Sequence, residues 1–222
     1  MKDRNNKLAW KIDQLHDGCI LASIAHAIMV AHYPILSNEH SWDGFNYNVQ
    51  NSAGMRGTVT FYDCYCVAAF RNEKSDRVGS KTAIDYFTDA PQSVIKLATN
   101  ETLQYLLDDI NGTVMPVITT AFWGKGNDLF TKDSFSNLLK YGGELLLKQT
   151  MDFDIAISKW VDNYEISSNQ VELLKSIYAR KTANPHDIIV LTKNEIEMIG
   201  TNDQEGLKES QISFQEININ FG

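Results

Sequence analysis

The chain has 222 residues, of which 43% are hydrophobic and 22% charged, and carries a formal net charge of −8. At this length roughly 70% of the unfolded surface is buried on folding, which excludes disorder as the working state. Twenty-eight acidic residues against 20 basic ones exclude a broad basic footprint for nucleic acid and tilt the electrostatics slightly towards a basic partner.

The opening residues, MKDRNNKLAWKIDQLHDG, are charged with no apolar run behind them, so no secretory signal is expected. The longest apolar stretch, 20–30, is broken by Ser23 and His26 and falls well short of the ~20 residues a bilayer demands. A soluble, cytoplasmic protein without membrane contact is expected. Three cysteines, Cys19, Cys64 and Cys66, are an odd number and sparse, as in a reducing compartment. Cys64 and Cys66 lack the two-residue spacing of a redox or zinc pair and read as strand residues.

In chain order, DGCILASIAHAIMVAH is the first periodic segment, with Asp17 as N-cap and Tyr33-Pro34 as the stop. Ile20, Leu21, Ile24, Ala25, Ile28 and Ala31 share its core face, while His16, Cys19, Ser23, His26 and Val30 fall on the other side. Phe45, Tyr47 and Val49 then alternate with Asn46, Asn48 and Gln50, the period-two pattern of a half-buried strand with the amides on the accessible face. NSAG supplies a turn, 58–62 a second strand and 65–70 a third. Helical spacing predicts a helix over 93–110, ended by Asn111-Gly112. TVMPVITTAFW is ambiguous, because Pro116 excludes a central strand. Three more helices are predicted over 134–147, 153–164 and 169–181, followed by a short strand at 186–191. The tail QISFQEININF alternates with a change of parity near Gln215, which a bulge would explain.

The pattern is α+β: an N-terminal helix plus an antiparallel β-meander, then a mainly helical region with a late strand returning to the sheet. It reads as a single domain over 1–222, with a finer division into 1–90 and 91–222.

Catalytic signatures are thin. Cys19 in the first turn of a helix begun at Asp17 would have a dipole-stabilised thiolate, and His40 or His186 could act as its base. Burial within the helix is the plainer reading of Cys19. The stripe His16, Cys19, His26 spans about 15 Å between its outer members, too far for one ion; a Cys19–His pair completed by His40 or Asp43 remains geometrically open to a metal. No metal and no cofactor are expected. There is no acidic-x-Lys nuclease triplet, no Walker loop around Gly124-Lys125-Gly126, and no Gly-x-Ser-x-Gly.

The 40–61 segment remains. Trp42, Asp43, Asn46, Asn48, Gln50 and Arg56 are residue types enriched at recognition surfaces, set on or beside a rigid hairpin. The reading is a non-catalytic binding protein acting through protein–protein contact, as an accessory or immunity/defence-operon subunit. The alternatives are a cysteine-dependent hydrolase or transferase using Cys19, and a small-ligand binding domain at the hairpin.

Overall fold

The structure, a computed structural model, describes residues 5–222. Strand β1 (Asn6–Lys11) buries Leu8 and Trp10 between exposed neighbours and runs directly into helix α1 (Ile12–Val30). The helix begins ahead of Asp17, because its cap is supplied from far along the chain: the Asp13 N–H donates to Asn127 Oδ1 at 3.2 Å, and Asn127 Nδ2 donates back to Asp13 Oδ2 at 3.0 Å. From Cys19 to Ala31 every residue of this segment is buried.

The expected meander follows. Strands β2 (His40–Asp43), β3 (Asn46–Gln50), β4 (Met55–Tyr62) and β5 (Tyr65–Asn72) lead on, with Asn46 opposite Thr60 and Gln50 opposite Arg56. Gly57, inside β4, is held to glycine by packing: a Cβ there would lie 2.2 Å from Phe70 Cδ1. The long helix expected over 93–110 is instead helix α2 (Gln92–Asn100), a 3-10 turn (Thr102–Leu106) and strand β6 (Leu107–Ile110). Asn111 and Gly112, at φ 55° and 83°, make a two-residue hairpin turn rather than a helix end. The turn joins β6 to strand β7 (Thr113–Pro116), a separate two-stranded sheet that places Pro116 at an edge.

Strands β8 (Thr120–Lys125) and β9 (Asp128–Thr131) form a hairpin, and the large sheet runs β1-β9-β8-β5-β4-β3-β2. The helix expected over 134–147 is shorter: helix α3 (Phe135–Lys140), capped by Ser134, breaks at Gly142 and continues as a 3-10 turn (Gly143–Leu146). Helix α4 (Phe153–Tyr164) ends at left-handed Glu165, and helix α5 (Ser168–Ala183) opens with a Ser167–Gln170 capping box, both close to expectation. Strand β10 (Ile189–Leu191), helix α6 (Lys193–Met198), helix α7 (Gln204–Gln215) and strand β11 (Ile219–Phe221) complete the chain.

The tail corrects the sequence reading. What passed for alternation up to Ile217 is helical spacing: Ser213 and Phe214 are buried with Ile217, four and three residues on, and only Ile217 and Ile219 keep the period of two. Only three residues remain as strand, and β11 pairs in parallel with β10 in its own small sheet rather than rejoining the large one. No helix among the described residues is long and apolar enough to cross a membrane.

The chain forms two compact units, each discontinuous in sequence. The first takes residues up to Leu15 with Asp43–Leu147, and the second His16–Trp42 with Lys148–Gly222. Two of the three boundaries fall inside α1 and inside β2, and the third follows the 3-10 turn at Gly143–Leu146. In the first unit Val67, Tyr86, Phe87, Val94 and Ile118 cluster against one another; in the second, Ile24, Ile28, Trp160, Leu174 and Phe214 do.

Gly18 lies within α1, where alanine ordinarily gains up to about 1 kcal/mol over glycine. Here a Cβ would stand 1.8 Å from the Gln149 carbonyl oxygen, a backbone atom that cannot swing aside. Gly18→Ala is therefore expected to destabilise the protein by at least ~2 kcal/mol in urea denaturation. Equal or greater stability of the variant would refute that contact.

Candidate functional site

The meander carries a polar cluster that parity alone did not reveal. Tyr47 and Val49 face the core as expected, but Asn46 is buried too. Its amide donates to Glu101 Oε2 at 3.3 Å and to the Tyr105 hydroxyl at 3.2 Å, while its carbonyl accepts from Thr60 Oγ1 at 2.7 Å. Thr60 and Thr102 share a further bond at 2.7 Å, and the Tyr105 hydroxyl donates to Asp43 Oδ2 at 2.7 Å. Burial and the adjacent Asp43 carboxylate push the Tyr105 phenol up to about 12. Asn46 is thus a structural bracket that fixes the side chains of Glu101 and Tyr105.

The other hairpin residues are placed differently. Asn48 is half-buried and accepts from Thr58 Oγ1 at 2.7 Å, and Gln50 is exposed. Arg56 is half-buried, opposite Gln50 on one side and Arg71 on the other, and Arg71 is ion-paired with Asp108. Asp43 is exposed at its end of β2.

Beside this cluster lies an open groove of about 480 Å³, walled by Phe45, Tyr62 and Tyr65 from the meander and by Lys96, Leu97 and Glu101 from α2 and its end. Phe45 and Tyr62 meet edge-on with centroids 5.0 Å apart, and Tyr62 is 54% exposed. Asp63, at φ 53° in the β4–β5 turn, and Glu101 set two carboxylates on the rim against the single ammonium of Lys96. The α2 wall of the groove carries no recognition signal in the sequence.

A second cluster occupies the other unit. Along α1, the polar stripe receives the 37–42 segment. The Trp42 indole donates to Ser23 Oγ at 2.8 Å, Ser23 donates to the Cys19 carbonyl at 2.8 Å, and His16 meets the Trp42 ring edge-on at 6.0 Å. The Trp42 N–H donates to Glu216 Oε2 at 2.8 Å, and its ring packs on the unit's core. Trp42 therefore serves as a fastening. Deeper in, the rings of His26 and His40 are 5.0 Å apart, with His40 edge-on to Trp160 at 5.5 Å. Desolvation lowers the His26 imidazole to about 4 and holds His40 well below its usual range, so both rings are neutral at physiological pH. Glu39, whose carboxyl is raised by partial burial, accepts from the Tyr164 hydroxyl at 3.5 Å.

His26, Glu39 and His40 each offer one ligand-capable atom, and the three atoms lie within 4.8 Å of one another. Neither Glu39 nor the α4 aromatics were singled out by sequence. Cys19 sits mid-helix and fully buried, which removes the helix-start argument for a stabilised thiolate. His186 is exposed in the loop ahead of β10. Comparison with protein-family models, curated proteins and solved structures finds no match.

Two consequences can be measured. Replacing Asn46 with Ala is expected to cost about 1–3 kcal/mol, because several buried polar groups lose their partner. Gln50→Ala should stay within about 0.5 kcal/mol of the parent; equal effects of the two in chemical denaturation would contradict the bracket role. Among the cysteines, only Cys64 is exposed. Burial also pushes the Cys66 thiol up. Native iodoacetamide labelling read by peptide mass spectrometry should modify Cys64, with Cys19 and Cys66 reacting only on unfolding. Rapid native labelling of Cys19 would restore it as a nucleophile candidate.

Proposed function

We propose that this chain works by binding a protein partner, as an accessory subunit of the immunity or defence kind, through the groove between the meander and α2. The observation that carries the reading is the groove itself: a concavity of about 480 Å³ with three aromatic walls, one of which, Tyr62, is 54% exposed. Aromatic side chains bring large contact area at small entropic cost, and such residues dominate binding energies when a partner covers them. Asn46, itself bonded by Thr60, holds Glu101 in the groove wall, so that carboxylate is set before a partner arrives.

The rim chemistry favours an apolar side chain flanked by a basic one. Asp63 and Glu101 outnumber Lys96, and the chain as a whole carries −8. A small-molecule ligand is the second reading, favoured by a volume inside the ~300–1,000 Å³ range of ligand pockets.

A photo-crosslinker on Cys64, next to Asp63 in the β4–β5 turn, tests both in the native host. The proposal expects one protein adduct that falls at least about tenfold with Tyr62→Ser and weakens with Asp63→Asn, with the melting temperature unchanged. An adduct indifferent to both substitutions would overturn the groove as the interface. Recovery of a bound metabolite by native mass spectrometry, without a protein adduct, would move the reading to the small ligand.

A further inference from the structure

We propose that His26, Glu39 and His40 form a binding site for a divalent transition-metal ion of the zinc class, within the second unit. Two imidazoles and one carboxylate make the donor set that borderline ions favour, whereas magnesium and calcium are held by oxygen. The three ligand-capable atoms lie within 4.8 Å of one another. In a tetrahedral site with bonds of about 2.0–2.2 Å, ligand atoms stand roughly 3.3–3.6 Å apart, so closure requires movements on the order of 1 Å.

The surroundings of each ligand fit the assignment. His26 projects from the rigid interior of α1, with its Nε2 3.3 Å from the Ser37 carbonyl. A ring that donates from Nε2 to a backbone oxygen keeps its lone pair on Nδ1, the orienting pattern found behind metal-bound histidines. That Nδ1 is buried and has no hydrogen-bond partner among the described residues, a cost that coordination would remove. His40 is fixed by ring contacts to His26 and Trp160, and the Tyr164 hydroxyl reaches Glu39 at 3.5 Å, as an outer-shell donor would. The ion would tie the 37–42 segment to α1, and three protein ligands leave a fourth position for water.

One group opposes the ion. Lys148 interacts electrostatically with both Glu39 and His40. Its ammonium is anchored to Asn163 Oδ1 at 2.7 Å and lies over the Trp160 ring at 4.5 Å. A bound divalent cation would share Glu39 with that ammonium, so removing the lysine charge should strengthen metal binding. A cluster that serves only as a Glu39–Lys148 charge pair would respond in the opposite sense, through lost stability and no gain in affinity.

The test is cobalt titration of the full chain after chelator treatment, in a Cys64→Ser background that removes the exposed thiol. One equivalent of Co²⁺ should give the visible absorption of a low-symmetry site, be displaced by Zn²⁺, and raise the melting temperature. Glu39→Gln, a conservative change at a half-buried position, should weaken binding at least about tenfold, and Lys148→Met should tighten it. His26→Gln should abolish the spectrum; if that variant does not fold, Glu39→Gln and Lys148→Met decide alone. Absence of a stoichiometric cobalt spectrum, or unchanged affinity in Glu39→Gln, overturns the site.

Discussion

A stretch of helix with no solvent face must satisfy its polar side chains from inside, and that requirement organises the second unit. Between Cys19 and Ala31 every residue of α1 and its end is buried, Ser23 and His26 among them. Each needs a partner, because an unmatched buried polar group costs about 1–3 kcal/mol. Ser23 accepts from the Trp42 indole, and His26 reaches the Ser37 carbonyl. Two residues beyond the helix, His32 reaches the Ile199 carbonyl, as does Gln170 of α5. The 37–42 segment is thus drawn to α1 by the helix's polar residues, and the end of α6 by His32 just past it. The histidine cluster is a by-product of that demand.

The two candidate sites belong to different physical regimes. The groove of the first unit is wet and open, so its aromatic surface has most to gain from being covered, and its charges act at long range through a high dielectric. The histidine cluster is largely dry. There, neutral imidazoles are the stable form, and any charge admitted needs a countercharge close by, the part Lys148 and Glu39 play for each other. The two proposals can therefore be tested by separate substitutions.

Elements whose signals are local were readable from the sequence. Helix α4 carries its periodicity and stop within itself, and α5 announces its start with Ser167 and Gln170. Errors arose where the deciding contact is remote. Asp17 is a plausible cap, but Asn127 caps the helix one turn earlier. Residues 107–110 carry helical spacing, yet they pair with Thr113–Pro116 across a turn that only left-handed Asn111 and Gly112 make possible. Period two located Tyr47 correctly and misjudged Asn46, since alternation tells which face a residue occupies and not whether something covers that face. Here the turn carrying Thr102 and Tyr105 does. The stripe on α1, His26 included, could be seen in outline. Glu39 could not, because the folding-back of a loop leaves no periodic trace.

The discontinuity of the second unit has a kinetic meaning. The apolar helix is made early, but Ala156, Trp160, Leu174 and Phe214, which cluster with it, lie beyond the whole of the first unit. At roughly 5–20 residues per second, synthesis of the intervening Asp43–Leu147 segment occupies on the order of 5–20 s. The first unit has all its residues once Leu147 has cleared the ribosome, whereas α1 must wait with its oily surface uncovered. That interval is when the nascent chain is most exposed to aggregation, and when a chaperone that shields a single hydrophobic helix would do most for its yield.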